Sequence, residues 1–348
     1  MYSIYNNMDH GNFKRATIHK IFSTTLDHLI LHINKSSNIH NHSLNSQLQG
    51  GSSMELELKQ ITKRFSDTIA VDNFSVKLNY GVIGLLGENG AGKTTLIRII
   101  SSLMKPTNGQ VLLNGKDIFD MDDQYRNILG YLPQNFGYYP DLNAINYLKY
   151  ISSLKGITSS LANKRIKTLL QTVSLWDVRN KKIKKYSGGM IRRLGIAQAL
   201  LNDPKILILD EPTAGLDPEE RYHFRQLLCS LSKDKIILLS THIVSDVEPI
   251  ADKIILMQKG RLLKSGTVKE LIETTPVHAW KIKPNSFNKN NMYNKNIIIT
   301  NSIDSKNGDS IRVLASSTPT IDASLDKCTL EDVFLYYNRK KVETHVIL

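Results

Sequence analysis

The chain has 348 residues, of which 41% are apolar and 22% are charged, and these proportions exclude a fibrous or wholly disordered protein. Its two cysteines, Cys229 and Cys328, are too few and too far apart to form a disulfide framework or a metal knuckle. The net charge of +13 is spread over most of the chain, so we interpret it as a solvated basic surface and expect no nucleic acid partner.

The first 53 residues differ in composition from the rest of the chain. They hold six of the ten histidines, many Asn and Ser residues and no glutamate. Met54 then begins an alternating Met-Glu-Leu-Glu-Leu pattern that is typical of a strand. Codons for Gln49-Gly50-Gly51 can spell a ribosome-binding sequence, so our hypothesis is that Met54 is the true start. The alternative is that residues 1–53 are a disordered extension.

A β-rich segment over residues 54–86 ends in an apolar strand at 82–86, and a glycine-rich loop follows it. A helix is expected from about Gly92 to Met104, ending before Pro106. The loop fits the pattern G-x-x-x-x-G-K-[ST] in the strand-to-helix context that a phosphate-binding loop requires. Backbone N–H groups can then surround a phosphate, Lys93 can bridge the β- and γ-phosphates, and the Thr94 hydroxyl can ligate Mg²⁺. The residues of this loop are Gly87, Glu88, Asn89, Gly90, Ala91, Gly92, Lys93, Thr94 and Thr95.

Strands and helices alternate along the rest of the chain up to about residue 275. The expected elements are a hairpin at 109–115, mostly helix over 141–200, a strand at 205–210, a helix at 218–230, a strand at 235–240, a helix at 243–249 and a hairpin across 252–266. Such alternation favours an α/β fold with a mostly parallel sheet. Residues 276–348 have a weaker pattern, and we expect a C-terminal accessory region with short strands and a terminal helix at 330–337.

An apolar strand at 206–209 ends in two carboxylates, Asp210 and Glu211. Asp210 at the tip of the strand suits Mg²⁺, and Glu211 can act as the general base that orients or activates the attacking water. A plainer interpretation is that acidic residues merely end a strand. The sequence Asp-Glu-Pro-Thr after four apolar residues favours the catalytic one.

The segment Tyr-Ser-Gly-Gly-Met at 186–190, with the apolar and basic residues up to Leu200, resembles the signature and following helix of ABC proteins. It lies about 20 residues before the Asp-Glu strand, as in that family. The resemblance covers residues 54–275 and implies an ABC ATPase domain there. It also implies the fold, which is α/β, with a P-loop NTPase core around a mostly parallel sheet, an antiparallel β subdomain and a helical subdomain.

The resemblance also implies roles for residues outside the phosphate loop. Gln134 looks like the glutamine that contacts Mg²⁺ or water and senses the membrane partner, and His242 looks like the histidine that contacts the γ-phosphate. Phe65 resembles the aromatic residue that stacks on adenine. Further nucleotide-binding positions implied by the resemblance are Ser187, Gly188, Gly189 and Asp217.

The signature departs from the usual family pattern at two positions. The family commonly begins it with Leu and ends it with Gln, where this chain has Tyr186 and Met190. The Ser-Gly-Gly element, which can bind an anion at a helix start, is retained. A thioether replaces an amide that can hydrogen-bond near the nucleotide, and hydrolysis is still expected.

By resemblance, two such subunits enclose two ATP molecules, so the catalytic unit is a homodimer or heterodimer and one chain alone hydrolyses ATP poorly. No segment reaches the ~18 apolar residues of a membrane span, so we expect a separate transmembrane permease subunit and a peripheral position at the cytoplasmic face of the membrane. The C-terminal stretch 329–334 looks like the close of ATPase subunits from drug- and antibiotic-type exporters, and the stretch 130–156 resembles those subunits too, so export is expected. The alternative is a soluble ABC ATPase acting on ribosomes or DNA, although the chain has one ATPase domain and no heptad run.

Overall fold

The computed structural model describes residues 54–283, 297–303 and 310–339. Both interpretations of residues 1–53 therefore concern residues outside the described part of the chain. The strands are β1 (Leu56–Phe65), β2 (Thr68–Leu78), β3 (Gly81–Leu86), β4 (Asn108–Leu113), β5 (Lys116–Asp117), β6 (Leu129–Leu132), β7 (Ile206–Asp210), β8 (Ile236–Thr241), β9 (Lys253–Gln258), β10 (Arg261–Gly266), β11 (His278–Ile282), β12 (Ile298–Ile303), β13 (Ser310–Ala315) and β14 (Ser324–Asp326).

The helices alternate with these strands through most of the chain. They are α1 (Lys93–Ile100), α2 (Ile118–Met121), α3 (Asp123–Asn127), α4 (Ala144–Leu154), α5 (Ser159–Thr172), α6 (Gly188–Ala199), α7 (Pro218–Leu231), α8 (Val244–Val247), α9 (Val268–Glu273) and α10 (Leu330–Arg339), with short 3₁₀ turns at Ile183–Lys185 and Ser232–Asp234. Among the described residues, no helix is long and apolar enough to span a membrane.

A six-stranded sheet in the order β10-β9-β3-β8-β7-β6 forms the centre of the fold. All neighbouring pairs in it are parallel except β9 and β10, which form the predicted antiparallel hairpin. The predicted α/β class with a mostly parallel sheet is therefore confirmed. Because the carboxyl ends of parallel strands lie at one edge, the loops after β3, β7 and β8 meet there.

The central strands are mostly apolar because helices and a second sheet cover both faces. Every residue of β3, β7 and β8 is buried. Along β7, Leu207 and Leu209 point into one apolar cluster, while Ile206 and Ile208 point into the other. Side chains alternate between faces along a strand, so one short apolar run contributes to both cores.

A second sheet is antiparallel, with the order β2-β1-β4-β5. Its β4–β5 hairpin turns at Asn114 and Gly115, which have φ of 49° and 81° as a type I′ turn requires. The predicted end of the first helix at Met104 is wrong. α1 ends at Ile100 because Ser102 adopts a left-handed φ of 55°, which stops the helix before Pro106 is reached.

Three helices, α4, α5 and α6, pack against one another and supply apolar side chains to the larger core cluster. Asn143 starts α4 by accepting a hydrogen bond from the Asn146 amide at 2.8 Å. Ser187 starts α6 in the same way. The mostly helical character predicted for 141–200 is confirmed, and these helices place the Ser-Gly-Gly segment at a helix N-terminus.

The C-terminal residues form a third sheet, also antiparallel, with the order β12-β13-β11-β14. Helix α10 confirms the predicted terminal helix, and it packs on α8 and α9. Leu330 and Val333 of α10 belong to the main core, and the Leu330 amide donates to Glu248 Oε1 at 3.2 Å. The polar tract predicted from 284 to 296 lies outside the described residues.

Candidate nucleotide-hydrolysis site

The phosphate loop joins β3 to α1, and close backbone packing determines where glycine is needed in it. A Cβ on Gly87 would lie 2.5 Å from the Met257 carbonyl oxygen. Gly92 has φ of +99°, a conformation that side-chain-bearing residues rarely adopt. Glycine at these two positions therefore lets the loop backbone pack closely, and successive N–H groups of such a loop can surround an anion.

Lys93 is the first residue of α1 and is only 6% exposed. Its ammonium donates to the Gly87 carbonyl at 2.6 Å and to the Glu88 carbonyl at 3.1 Å. Burial lowers the pKa of Lys93, whereas the carboxylates of Glu211 and Asp210 oppose that shift. The cation is thus held over the loop by main-chain carbonyls, and a bound phosphate would offer it a negatively charged acceptor instead.

Glu211 and His242 follow the neighbouring parallel strands β7 and β8. Both carboxylate oxygens of Glu211 lie 3.1 Å from His242 Nδ1, and Oε1 is 3.7 Å from the Lys93 ammonium. The Glu211 side chain is 9% exposed, while that of His242 is 46% exposed. A buried carboxylate therefore lies between the phosphate-loop lysine and a histidine that faces solvent, as a base positioned to activate water requires.

Asp210, at the end of β7, has one satisfied oxygen and one unsatisfied oxygen. Oδ1 accepts from the Ser240 hydroxyl at 2.6 Å, and Oδ2 is buried without a hydrogen-bond partner among the described residues. A buried carboxylate oxygen of this kind suits a cation or a bound water. No three His, Cys, Asp or Glu side chains in the described part of the chain cluster as a metal site. Mg²⁺ fits, because it commonly uses one or two carboxylates together with substrate phosphates.

The Ser-Gly-Gly segment lies at the N-terminus of α6. Ser187 Oγ accepts from the Met190 amide at 3.2 Å, and a Cβ on Gly188 would meet nothing within 4 Å. Gly189, in contrast, lies directly against the Glu220 carboxylate, which pairs with Arg193 at 3.0 Å. Of the two glycines, Gly188 is therefore the one that faces open space at a positive helix end.

Tyr186, one of the two departures from the family pattern, is buried, and its hydroxyl donates to the Val178 carbonyl at 3.0 Å. The phenol ring belongs to the main core cluster, and its polar group is satisfied there. Met190 packs against the same cluster. Tyrosine in place of leucine thus keeps the apolar packing in front of Ser187 and adds one hydrogen bond.

Three predicted site residues make their contacts outside the Lys93–Glu211–His242 group. Phe65 ends β1 with 44% exposure, and the Lys63 ammonium is 5.3 Å from its ring centroid. Asp217 is the N-cap of α7 and accepts from the Glu220 amide at 2.8 Å. Gln134 is exposed, and its carbonyl accepts from Arg192 Nη1 at 2.8 Å. The structure therefore gives Asp217 a capping contact and ties the loop of Gln134 to α6.

The sequence did not predict several residues that hydrogen-bond to the site or to the loops around it. Ser240 accepts from the Glu211 amide at 3.1 Å in addition to contacting Asp210. Asp246 is buried and accepts from Thr213 Oγ1 at 2.5 Å and from Arg221 Nη1 at 3.2 Å. Arg192 is also buried and contacts both the Gln134 loop and the end of β7. A polar residue inside an apolar strand, such as Ser240, was the one available signal.

The fold and this group of residues define a P-loop nucleoside triphosphatase. The family described as ABC transporter matches residues 71–214. The chain is 37% identical to the uncharacterized ABC transporter ATP-binding protein YxlF of Bacillus subtilis over 217 residues, which are 62% of this chain and 72% of that protein. It therefore belongs to the ABC transporter ATP-binding proteins and is an ATPase.

Two further similarities bear on transport and assembly. The Nod factor export ATP-binding protein I of Cupriavidus pinatubonensis is 37% identical, over 63% of this chain and 68% of that protein. The dimeric structure of the ABC transporter cassette MJ0796 matches with a TM-score of 0.57 and 27% identity, over 61% of this chain and 98% of that one. That bacterial cassette is a dimer in its structure. The chain spans between 54% and 72% of the length of three relatives that match it about equally well.

Proposed function

We propose that this chain hydrolyses ATP to drive export of a substrate through a separate membrane-spanning subunit. The observation that carries the proposal is the convergence of Lys93, Glu211 and His242, with Glu211 3.1 Å from the histidine and 3.7 Å from the lysine. Export, rather than import, is supported by the similarity to the Nod factor export protein. The cargo is recognised by the membrane-spanning subunit.

Within one chain, the phosphate loop holds the triphosphate and Lys93 neutralises the β- and γ-phosphates. Mg²⁺ would be held by Asp210, Thr94 and Gln134, and when bound it neutralises the charge that develops on the phosphates. Glu211 accepts the proton of the attacking water, and His242 keeps the Glu211 carboxylate oriented towards the γ-phosphate. Phe65 supplies an exposed ring for the adenine.

The site is completed by a second ATPase subunit, either another copy of this chain or a relative of it. The N-terminus of α6, with Ser187 and Gly188, faces open space and can bind the γ-phosphate of ATP held by the partner subunit. Asp217 lies at the start of α7 near the same interface. Binding of ATP then favours the closed dimer and hydrolysis favours the open one, because only the closed dimer contains the whole site.

The membrane-spanning subunit would contact the segment that follows Gln134. Aromatic side chains lie along this segment, and Tyr139 is 44% exposed with its ring 5.4 Å from that of Tyr150 in an edge-to-face arrangement. Exposed aromatic groups beside polar loops are typical of protein contacts. The chain would thereby lie at the cytoplasmic face of the membrane. We assign the ATPase domain to 54–275 and the accessory region to the residues after it.

The test is Glu211→Gln, which keeps the size of the side chain and removes its basicity. ATP binding is expected to remain within a few-fold of the unmodified chain, whereas phosphate release falls by about 100-fold to about 10,000-fold, the range that general acid–base catalysis contributes. Nucleotide titration and steady-state phosphate release measure the two. Glu219→Gln, on the exposed surface of α7, is the matched control. Unchanged phosphate release in Glu211→Gln would exclude this carboxylate as the base.

Purification of the full chain from its native membranes tests the partner. A polytopic membrane protein is expected to copurify, and ATP hydrolysis by that complex should exceed hydrolysis by the chain alone. Copurification with ribosomes or DNA and not with a membrane protein would instead favour the soluble ABC class. Cross-linking from Tyr139→Cys, with Leu161→Cys on an exposed part of α5 as control, locates the contact.

A further inference from the structure

Arg192 is a buried arginine on α6, five positions after Ser187, and it is 7% exposed. Burying a guanidinium is costly unless its donors are satisfied. Its neighbours in α6 are mostly apolar, yet it does not pair with a carboxylate at hydrogen-bonding distance in the contacts that the structure gives. It bonds instead to main-chain carbonyls of two loops.

All five N–H donors of the Arg192 guanidinium have an acceptor. Nη1 donates to the carbonyls of Pro133 at 3.2 Å and Gln134 at 2.8 Å. Nε donates to the Pro212 carbonyl at 3.0 Å. Nη2 donates to the Asp210 carbonyl at 2.7 Å and to the Glu211 carbonyl. One rigid planar group thus joins the Gln134 loop, the end of β7 and the helix that begins at Ser187.

The backbone that Arg192 holds is strained at Glu211. This residue has φ of 49°, in the left-handed region that is unfavourable for a side-chain-bearing residue. Such a conformation persists only where the surroundings over-determine it. On one side of Glu211 its amide donates to Ser240, and on the other its carbonyl accepts from Arg192. These contacts hold the backbone from which the Glu211 carboxylate projects.

We propose that Arg192 is a positioning residue that makes the reactive orientation of Glu211 depend on the Gln134 loop being docked. The inference rests on the proposed roles of Glu211 and Gln134. While the carbonyls of Pro133 and Gln134 accept from Nη1, the guanidinium is held in one orientation. Its other donors then fix the carbonyls of Asp210, Glu211 and Pro212. When the loop moves away, the guanidinium loses two of its acceptors, and the strained backbone at Glu211 is no longer held.

The test is Arg192→Lys, which keeps the charge and replaces five fixed donors by three on a flexible stem. The kcat of ATP hydrolysis is expected to fall by about 10-fold to about 100-fold, the loss that small misplacements of a catalytic group cause. ATP affinity is expected to stay within about twofold, because Arg192 contacts no residue of the phosphate loop. Steady-state kinetics and nucleotide titration on the full chain separate the two effects.

Arg165→Lys is the matched control. Arg165 is a half-buried arginine of the same helical layer, and its Nη1 donates to the Leu201 carbonyl at 3.2 Å, beyond the other end of α6. It reaches neither the Gln134 loop nor Glu211, so its kcat is expected to stay within about twofold of the unmodified chain. An equal loss of kcat in Arg165→Lys and Arg192→Lys would overturn the proposal, since the loss of any contact between an arginine and a carbonyl would then lower kcat to the same extent.

A double variant distinguishes action through Glu211 from a general structural role. If Arg192 acts by orienting the Glu211 carboxylate, adding Arg192→Lys to Glu211→Gln lowers kcat by less than about twofold, because the base is already absent. A multiplicative loss would overturn the inference, and so would loss of ATP binding in Arg192→Lys alone. Unchanged turnover in Glu211→Gln itself would instead reject the proposed role of Glu211, which is a separate failure.

Discussion

A substitution at Gly188 tests the shared site directly, because a side chain there can disturb contact with the partner subunit without disturbing folding. It is the first residue of α6, and a Cβ there meets nothing within 4 Å. An aspartate at the start of a helix stabilises that helix by about 0.3–1 kcal/mol. Gly188→Asp is therefore expected to fold at least as well as the unmodified chain while placing a negative charge where the partner's γ-phosphate would bind.

The size of the effect follows from the repulsion between the carboxylate and the phosphate. At a separation of about 4 Å, two unit charges interact by about 1 kcal/mol in water and about 4 kcal/mol near a protein surface. This range corresponds to a loss of about 5-fold to about 1,000-fold in the stability of the closed, hydrolysing dimer. Gly188→Asn has nearly the same volume without the charge, and it is expected to lose several-fold less activity than Gly188→Asp.

Mixing two inactive chains shows whether the site is shared between subunits. Lys93→Met removes the phosphate-loop cation, and Gly188→Asp blocks the helix start. In a mixed dimer, one site then carries both defects and the other carries neither. Random pairing makes about half of the dimers mixed, so an equal mixture should recover about one quarter of the intact sites. Phosphate release no higher than in either chain alone would refute a site shared between two copies of this chain.

Two further predictions concern the adenine and the accessory region. Phe65→Ala should weaken ATP binding by about 1–3 kcal/mol without weakening inorganic tripolyphosphate binding, and equal losses for both ligands in a titration would contradict stacking. Asp332→Asn should lower the free energy of unfolding by about 1–3 kcal/mol at neutral pH, because Arg312 loses the charged acceptor that it contacts at 2.5 Å and keeps the carboxylate of Asp326 at 2.7 Å. Burial raises the pKa of Asp332, but hydrogen bonds from Arg312 and Thr329 outweigh it and hold that pKa below the ordinary value of an aspartate. The lowered pKa means that the stability is present above that value and is lost as pH falls below it, so denaturation curves of the two proteins should converge in acid.

Much of the candidate site was predictable because its chemistry is encoded locally. The phosphate loop combines glycines at required spacings with a lysine at a helix start, and any chain that forms this strand, turn and helix presents the same N–H groups. Asp210 and Glu211 were recognisable since carboxylates rarely end an apolar strand without a function. The class of fold followed equally from the alternation of apolar strands and amphipathic helices.

The end of α1 and the C-terminal sheet were less predictable. Ser102 ends α1 four residues before Pro106 by adopting a left-handed conformation, which no propensity of serine indicates. In the C-terminal region, Arg312 joins Asp326 and Asp332, which lie 14 and 20 residues farther along the chain. Pairings of this kind depend on how strands are ordered in the sheet, and a single sequence carries little information about that order.

The sequence by itself determined which groups are present: a lysine at a phosphate loop, a carboxylate pair, a histidine and a Ser-Gly-Gly helix start. Only the tertiary structure decided which of them meet. Because β3 and β7 lie on either side of β8, Lys93, Glu211 and His242 converge although up to 149 positions separate them in the chain. The same packing buries Arg192 where two loops expose carbonyls. Distances of about 3–4 Å between residues remote in the chain arise from strand order and helix packing, whereas the chemistry of each residue follows from its side chain alone.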